Sequence, residues 1–139
     1  FVITNDYKGH MIFVFENGKI SKIPLEAYQT KVNRKKLINA YSDKYRLVNI
    51  KYILDDIDIV LVRDNDKALL LNTSQIEEKP TKSSMGVNIF TIKKNNKVTF
   101  CLEKDEFLSY DIEYYRTKEI PSSGHFILDK DKNKNNFLK

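Results

Sequence analysis

Apolar residues fall along this chain in short runs, partly alternating with polar ones. The runs are rich in Ile, Val, Leu, Phe and Tyr and are cut at regular intervals by polar turn residues. No stretch of about eleven residues holds an i, i+3, i+4, i+7 apolar stripe, so the pattern has the period of strands and helices should be few. Four turn signals stand out: Glu16-Asn17-Gly18-Lys19, Ser42-Asp43-Lys44-Tyr45, Asp64-Asn65-Asp66-Lys67 and Lys94-Asn95-Asn96-Lys97. Each puts Asn, Asp or Gly where a tight hairpin needs positive φ. Four hairpins imply eight strands, expected over residues 11–15, 19–23, 37–41, 47–53, 57–62, 68–72, 87–92 and 98–102, with a further edge strand at 1–4. Pro24 and Pro80 fall in connections, where a missing amide donor costs nothing.

The pattern reads as hairpin, long loop, hairpin, and then repeats. A shift of 48 lays Ile12-Phe13-Val14 on Val60-Leu61-Val62, Asn17 on Asn65 and Ile23 on Leu71; a shift of 50 lays Leu37 on Val87, Lys44 on Lys94 and Val48 on Val98. A period near 50 built from four strands is the signature of a propeller-like blade. The expected organisation is a first blade unit at 1–53, a second at 54–102, a C-terminal strap at 103–128 that packs its aromatics on the blades, and a disordered Lys/Asn-rich tail at 129–139.

Charge refines this picture. The formal net charge is +5 over 139 residues, yet segment 29–51 holds seven basic residues (Lys31, Arg34, Lys35, Lys36, Lys44, Arg46 and Lys51) against one acid, Asp43. That stretch therefore carries +6 and the rest sums to −1, so the protein has a basic side, the footprint expected for a polyanion such as nucleic acid. Lys79, Lys82, Lys93, Lys94 and Lys97 occupy corresponding places in the second repeat and would continue the track. The plainer reading is ordinary surface lysine in a Lys/Asn/Ile-rich composition.

Catalytic chemistry is sparse. His10, His125 and the lone Cys101 show no zinc-ligand spacing, the four Gly stand apart and form no phosphate loop, and one Cys permits no internal disulfide and suits a reducing cytoplasm. Asp55, Asp56 and Asp58 could bind Mg²⁺, although a solvated turn is the ordinary explanation. In Tyr114-Tyr115-Arg116 nothing adjacent could activate a tyrosine nucleophile, and Arg116 over a ring is the expected arrangement. No apolar run approaches the roughly 18 residues of a membrane helix. The chain begins at Phe1 without a signal-peptide pattern and is expected to be a soluble piece of a longer protein.

The segments Gly9-His10-Met11-Ile12-Phe13-Val14-Phe15-Glu16-Asn17-Gly18-Lys19-Ile20 and Asn33-Arg34-Lys35-Lys36-Leu37-Ile38-Asn39-Ala40-Tyr41-Ser42-Asp43 resemble the C-terminal domain of the breakage-reunion subunit of bacterial type IIA topoisomerases, DNA gyrase and topoisomerase IV. Asn65-Asp66-Lys67-Ala68-Leu69-Leu70 and Ser84-Met85-Gly86-Val87 are similar to the same family's turn-and-strand signatures, and Tyr115-Arg116-Thr117-Lys118-Glu119-Ile120-Pro121 resembles the end of clostridial-type members. The resemblance implies an all-β fold, a β-pinwheel, meaning a propeller-like disc whose blades exchange strands and whose basic rim binds and bends duplex DNA. It implies no cofactor in this domain. Implied partners are double-stranded DNA, the catalytic core of the parent subunit and the separate ATPase subunit of the enzyme, with a cytoplasmic, nucleoid-associated location and no membrane. The domain would be inert alone but part of an ATP-dependent isomerase. At the place of the gyrase wrapping box the chain reads Gln29-Thr30-Lys31-Val32-Asn33-Arg34-Lys35-Lys36-Leu37, without Gly, which favours a topoisomerase IV-like or reduced domain. With about two blade units, an open or degenerate pinwheel is expected. The alternatives are a propeller-like protein-interaction module docking through Tyr28, Tyr41 and Tyr45, and a small hydrolase using Cys101 or His125.

Overall fold

The computed structural model describes residues 8–28, 46–78, 86–93 and 95–135. The expected strands at 1–4 and 37–41 and the turn at Ser42-Asp43-Lys44-Tyr45 lie outside these residues.

Among the described residues, eight strands form two four-stranded antiparallel sheets: β1 (His10–Phe15), β2 (Lys19–Pro24), β3 (Leu47–Ile53), β4 (Asp58–Arg63), β5 (Lys67–Asn72), β6 (Val87–Asn88), β7 (Val98–Glu103) and β8 (His125–Phe126). The first sheet has the order β3-β1-β2-β6 and the second β7-β4-β5-β8. Each is built around a tight hairpin. In the first turn Gly18 takes φ 86, and in the second Asn65 and Asp66 take φ 70 and 58, so these three adopt the left-handed backbone expected of them, whereas Asn17 and Asn96 do not. A Cβ at Gly18 would collide with the Phe90 carbonyl oxygen, which makes Gly obligatory there for a second reason.

The repeat is stronger in the pairing than in the residues. β1 with β2 and β4 with β5 share one register offset by 48, since His10 faces Pro24 and Asp58 faces Asn72. Both long flanking strands carry a register shift at the same place, between Val14 and Phe15 and between Val62 and Arg63. That places Leu47 in correspondence with Val98, an offset of 51. The sequence alignment of Val48 with Val98 is thereby corrected by one position: Asn49 and Phe100, beyond the bulge, are also 51 apart, so the bulge is common to both blades and the extra places lie in the connection that precedes β7.

The expected hairpin joining 87–92 to 98–102 does not form. β6 pairs with β2 of the first sheet, whereas β7 pairs with β4 of the second. The Asn96 amide still closes a turn on the Lys93 carbonyl at 2.9 Å, but the flanking strands go to different sheets. The physical reason is the open edge of β2, whose backbone groups need partners. Chain emerging from the second hairpin returns to satisfy that edge, and β8 later does the same for β5. Strand 87–92 is also shortened to two residues, because the amides of Ile89 and Phe90 both turn to the Gly18 carbonyl, each at 3.0 Å.

Ile12, Val14 and Ile20 face the second sheet while their equivalents Val60, Val62 and Ala68 face away from the first, so the sheets stack front to back like blades. Ile12, Val14 and Ile20 of the first sheet pack on Ile59, Leu61, Leu69 and Leu71 of the second, together with Ile89, Phe90 and Val98. Met11, Phe13, Phe15 and Ile23 form the buried opposite face of the first sheet. On the second sheet the corresponding outer face, Val60, Val62, Ala68 and Leu70, is covered by Phe107, Tyr115 and Ile127. Residues after β7 thus cap the stack where another blade would continue it.

That cap ends in a short helix, α1 (Asp129–Lys134), within the stretch 129–139 that the composition predicts to be disordered; residues 136–139 of that stretch lie outside the described residues. Asp131 and Asn135 are buried. The Asp131 carboxylate accepts from Tyr115 Oη at 2.6 Å, Ser109 Oγ at 2.7 Å and the Tyr110 amide at 3.0 Å, while Asn135 Nδ2 donates to the Leu108 carbonyl at 2.7 Å. The helix docks through polar groups, so no apolar stripe announces it in the sequence.

Candidate functional site

The strands run between two chemically different ends. At one end lie the starts of β1 and β4 and the ends of β2, β3 and β5; at the other lie the hairpin turns and the starts of β3 and β7.

The first end is acidic and its cations are taken. Lys22, buried in the layer between the sheets, donates to Asp56 Oδ1 at 2.9 Å and to the Thr73 carbonyl at 3.0 Å. That lysine holds the Asp56 carboxyl below its usual range, with Thr73 adding a second donor. Arg116 donates through both Nη atoms to the two Asp58 oxygens, each at 3.0 Å, and through Nε to Glu113 at 2.7 Å. It therefore forms a carboxylate fork, not the expected stack over a ring, and it lowers the Asp58 pKa to about 2. Lys51 lies 3.4 Å from Glu103, and Lys104 bridges Asp58 and Glu113 at 3.7 and 3.4 Å. Asp56 and Asp58 are thus committed to cations of this chain, and no group of three or more potential metal ligands occurs among the described residues.

The turn end is different. Arg46, Lys93 and Lys97 are exposed, and none has a carboxylate partner among the described residues. Arg46 and Lys97 are equivalent positions of successive blades. The Glu16 amide donates to the Arg46 carbonyl and the Asp64 amide to the Lys97 carbonyl, both at 3.0 Å. The Glu16 carbonyl in turn accepts from the Val98 amide at 2.9 Å, so one residue of the first turn tethers both basic positions. Asp64 is occupied by backbone: its Oδ1 accepts from the Lys97 main-chain amide at 2.9 Å, leaving the ammonium unengaged by it. The turn end is therefore a β platform presenting cations that no carboxylate among the described residues neutralises.

Of the twelve basic residues singled out in the sequence, the structure describes Arg46, Lys51, Lys93 and Lys97. It gathers Arg46, Lys93 and Lys97 at the turn end and separates Lys51 toward the acidic end, paired with Glu103. Lys31, Arg34, Lys35, Lys36, Lys44, Lys79, Lys82 and Lys94 lie outside the described residues, as do Tyr41, Tyr45 and the Tyr28 side chain. Among the described residues the sequence reading left out Lys19 and Lys67, which open β2 and β5 at this end, and buried Arg63, which sits inside an apolar run that reads as core.

Cys101, the nucleophile candidate of the sequence, is not activated. Burial pushes the Cys101 thiol up to about 12, which leaves it protonated and inert. His125 packs against Tyr114 with ring centroids 5.2 Å apart, and His10 Nε2 meets the Glu78 carboxylate. Among the described residues no helix is long and apolar enough to cross a membrane.

No protein-family model and no curated protein matches the chain by sequence. Its fold does match solved structures. A crystal structure of the C-terminal domain of DNA topoisomerase IV superposes with TM-score 0.58 over 72% of this chain at 20% identity, and a structure of the DNA gyrase A C-terminal domain with TM-score 0.55 over 72% at 15% identity. This chain spans 32% of each of those chains. The fold is accordingly the β-pinwheel of those domains, here two blade-like sheets without a closed barrel.

Proposed function

We propose that this chain is a duplex DNA-binding and DNA-bending domain from the breakage-reunion subunit of a bacterial type IIA topoisomerase, acting without sequence readout and without catalysis of its own. The observation that carries the reading is the placement of Arg46 and Lys97 at equivalent positions, tethered through Glu16 and without a carboxylate partner among the described residues, on a fold shared with topoisomerase IV and gyrase C-terminal domains. Cations fixed on a rigid edge meet phosphates, which carry no base information, so the binding is electrostatic and general. Successive blades offering the same position favour a duplex that runs across both turns and bends to follow them.

The reading assigns the contacts to Arg46, Lys93 and Lys97, continued by Lys31, Arg34, Lys35, Lys36, Lys44, Lys79, Lys82 and Lys94 of the intervening segments. Lys51, engaged with Glu103, contributes less than its place in the basic segment suggests. Partners are double-stranded DNA, the catalytic core of the parent subunit and the separate ATPase subunit, in the cytoplasm with the nucleoid. The domain needs no cofactor. The missing Gly in 29–37 favours a topoisomerase IV-like role over gyrase-type wrapping, and the likeness of 115–121 to clostridial-type members favours a parent enzyme of that type. The test is retention on mixed-sequence duplex as a function of salt: steep loss supports the reading, and absence of retention at low salt removes it.

A further inference from the structure

Arg63 ends β4 and is only 4% exposed. Its Nη1 donates to the Thr91 carbonyl at 3.3 Å, and the guanidinium carbon lies 5.9 Å from the centroid of the Phe90 ring. Nε is buried and has no hydrogen-bond partner. No carboxylate among the described residues pairs with it, whereas the cations of the acidic end are matched to acids. A buried charge with neither counter-ion nor full hydrogen bonding is a destabilising feature of the free protein.

Packing does not demand a cation here. The register shifts identify Arg63 with Phe15 of the first blade, an apolar residue 1% exposed. The same position opposite the bulge is thus taken by a phenyl ring in one blade and, in the other, by a guanidinium that no carboxylate among the described residues pairs with. Arg63 faces Val98 across the ladder, directly after Lys97, and its side-chain hydrogen bond to Thr91 holds the backbone that leads to Lys93. It lies beneath the part of the turn end that the proposed function gives to DNA.

Resting on that reading, we infer that Arg63 is a recessed phosphate-binding group: a phosphodiester oxygen of the duplex, seated between Lys93 and Lys97, supplies the negative charge the guanidinium lacks. The occupant is an oxyanion, which the planar guanidinium fork suits. In the unliganded protein the uncompensated charge is a cost, and bound phosphate relieves it. Replacing Arg63 by an apolar residue, the type its counterpart carries, should stabilise the free protein while removing the response to phosphate.

The experiment compares the whole chain with Arg63→Met and Arg63→Lys in two measurements. In the first, thermal midpoints are recorded with chloride exchanged for inorganic phosphate at constant ionic strength. The unsubstituted chain is expected to rise in midpoint, Arg63→Met to start at or above it and show no rise, and Arg63→Lys to retain part of it. In the second, the slope of log K against log salt for a mixed-sequence duplex is expected to fall in magnitude by about 0.9 in Arg63→Met, one phosphate's share. An unchanged slope in Arg63→Met overturns the inference, even where its phosphate response is lost, since the site would then take free phosphate and not the duplex. A phosphate response that survives in Arg63→Met overturns it as well. If the unsubstituted chain itself fails to bind duplex, the proposed function falls first and the inference with it; binding with an unaltered slope removes the inference alone.

Discussion

Arg46 and Lys97 hang from one residue of the first turn, Glu16. The Glu16 amide donates to the Arg46 carbonyl at 3.0 Å, and the Glu16 carbonyl accepts at 2.9 Å from Val98, the residue after Lys97. Two blades thereby present their basic positions side by side, fixed by main-chain bonds and not by flexible side chains. Replacing both by Ala should weaken duplex binding and lower the salt slope by about 1.8, two phosphate contacts' worth. Lys118→Ala, an exposed lysine of the cap, should leave the slope unchanged. Fluorescence anisotropy over a salt series measures both.

The Arg116 fork to Asp58 fastens the cap to the start of the second hairpin. Arg116→Ala should cost about 1 to 2 kcal/mol, between the exposed and fully buried limits for ion pairs. The same pair sets an acid response. Asp58 is depressed to about 2 in the folded chain, below the ordinary carboxylate value near 3.8, so the unfolded state binds the proton first. Its contribution is complete above about pH 4 and is lost as pH falls toward 2. Denaturant melts across that range should show the decline in the native chain and a shallower one in Arg116→Ala.

Tyr115 is fully buried beneath the cap; its hydroxyl donates to Asp131 at 2.6 Å and accepts from the Leu128 amide at 3.0 Å. Burial pushes the Asp131 carboxyl up, but donors from Tyr115, Ser109 and Tyr110 outweigh it and hold the group below its usual range. Tyr115→Phe leaves a buried carboxylate and a backbone amide each short of a partner, for about 1 to 3 kcal/mol. Hydrogen exchange should accelerate in α1 and around Ser109 before the sheets respond.

Much of the hairpin architecture was legible because it is local. Asn17, Gly18, Asn65 and Asp66 mark their turns by backbone chemistry, and strands buried on both faces show as apolar runs. Strand exchange was not legible from pattern. Val87 reads as a strand wherever it pairs, and only the open edge of β2 determines its sheet. Nor was α1, whose anchors Asp131 and Asn135 look like tail residues until Tyr115 and Leu108 are placed opposite them. At the site, net charge by segment found Arg46 and the second-repeat track found Lys97, but the same count also took in Lys51, because it cannot see Glu103 across the ladder.

Cys101 is buried, with its thiol raised to about 12. A thiolate-directed alkylating reagent at neutral pH should therefore react slowly with the folded chain and rapidly after unfolding. Comparable rates in the two states would show that β7 opens readily, contrary to its full pairing with β4.

The central claim is that the turn end of the two blades is a DNA surface. The most direct measurement is the affinity of the whole chain for a mixed-sequence duplex from low to moderate salt, repeated on a second duplex of unrelated sequence. If the cations of segment 29–51 engage, log K should fall against log salt with a slope of about −5 to −6, the same on both duplexes. A slope near zero, or no binding at low salt, would contradict the account.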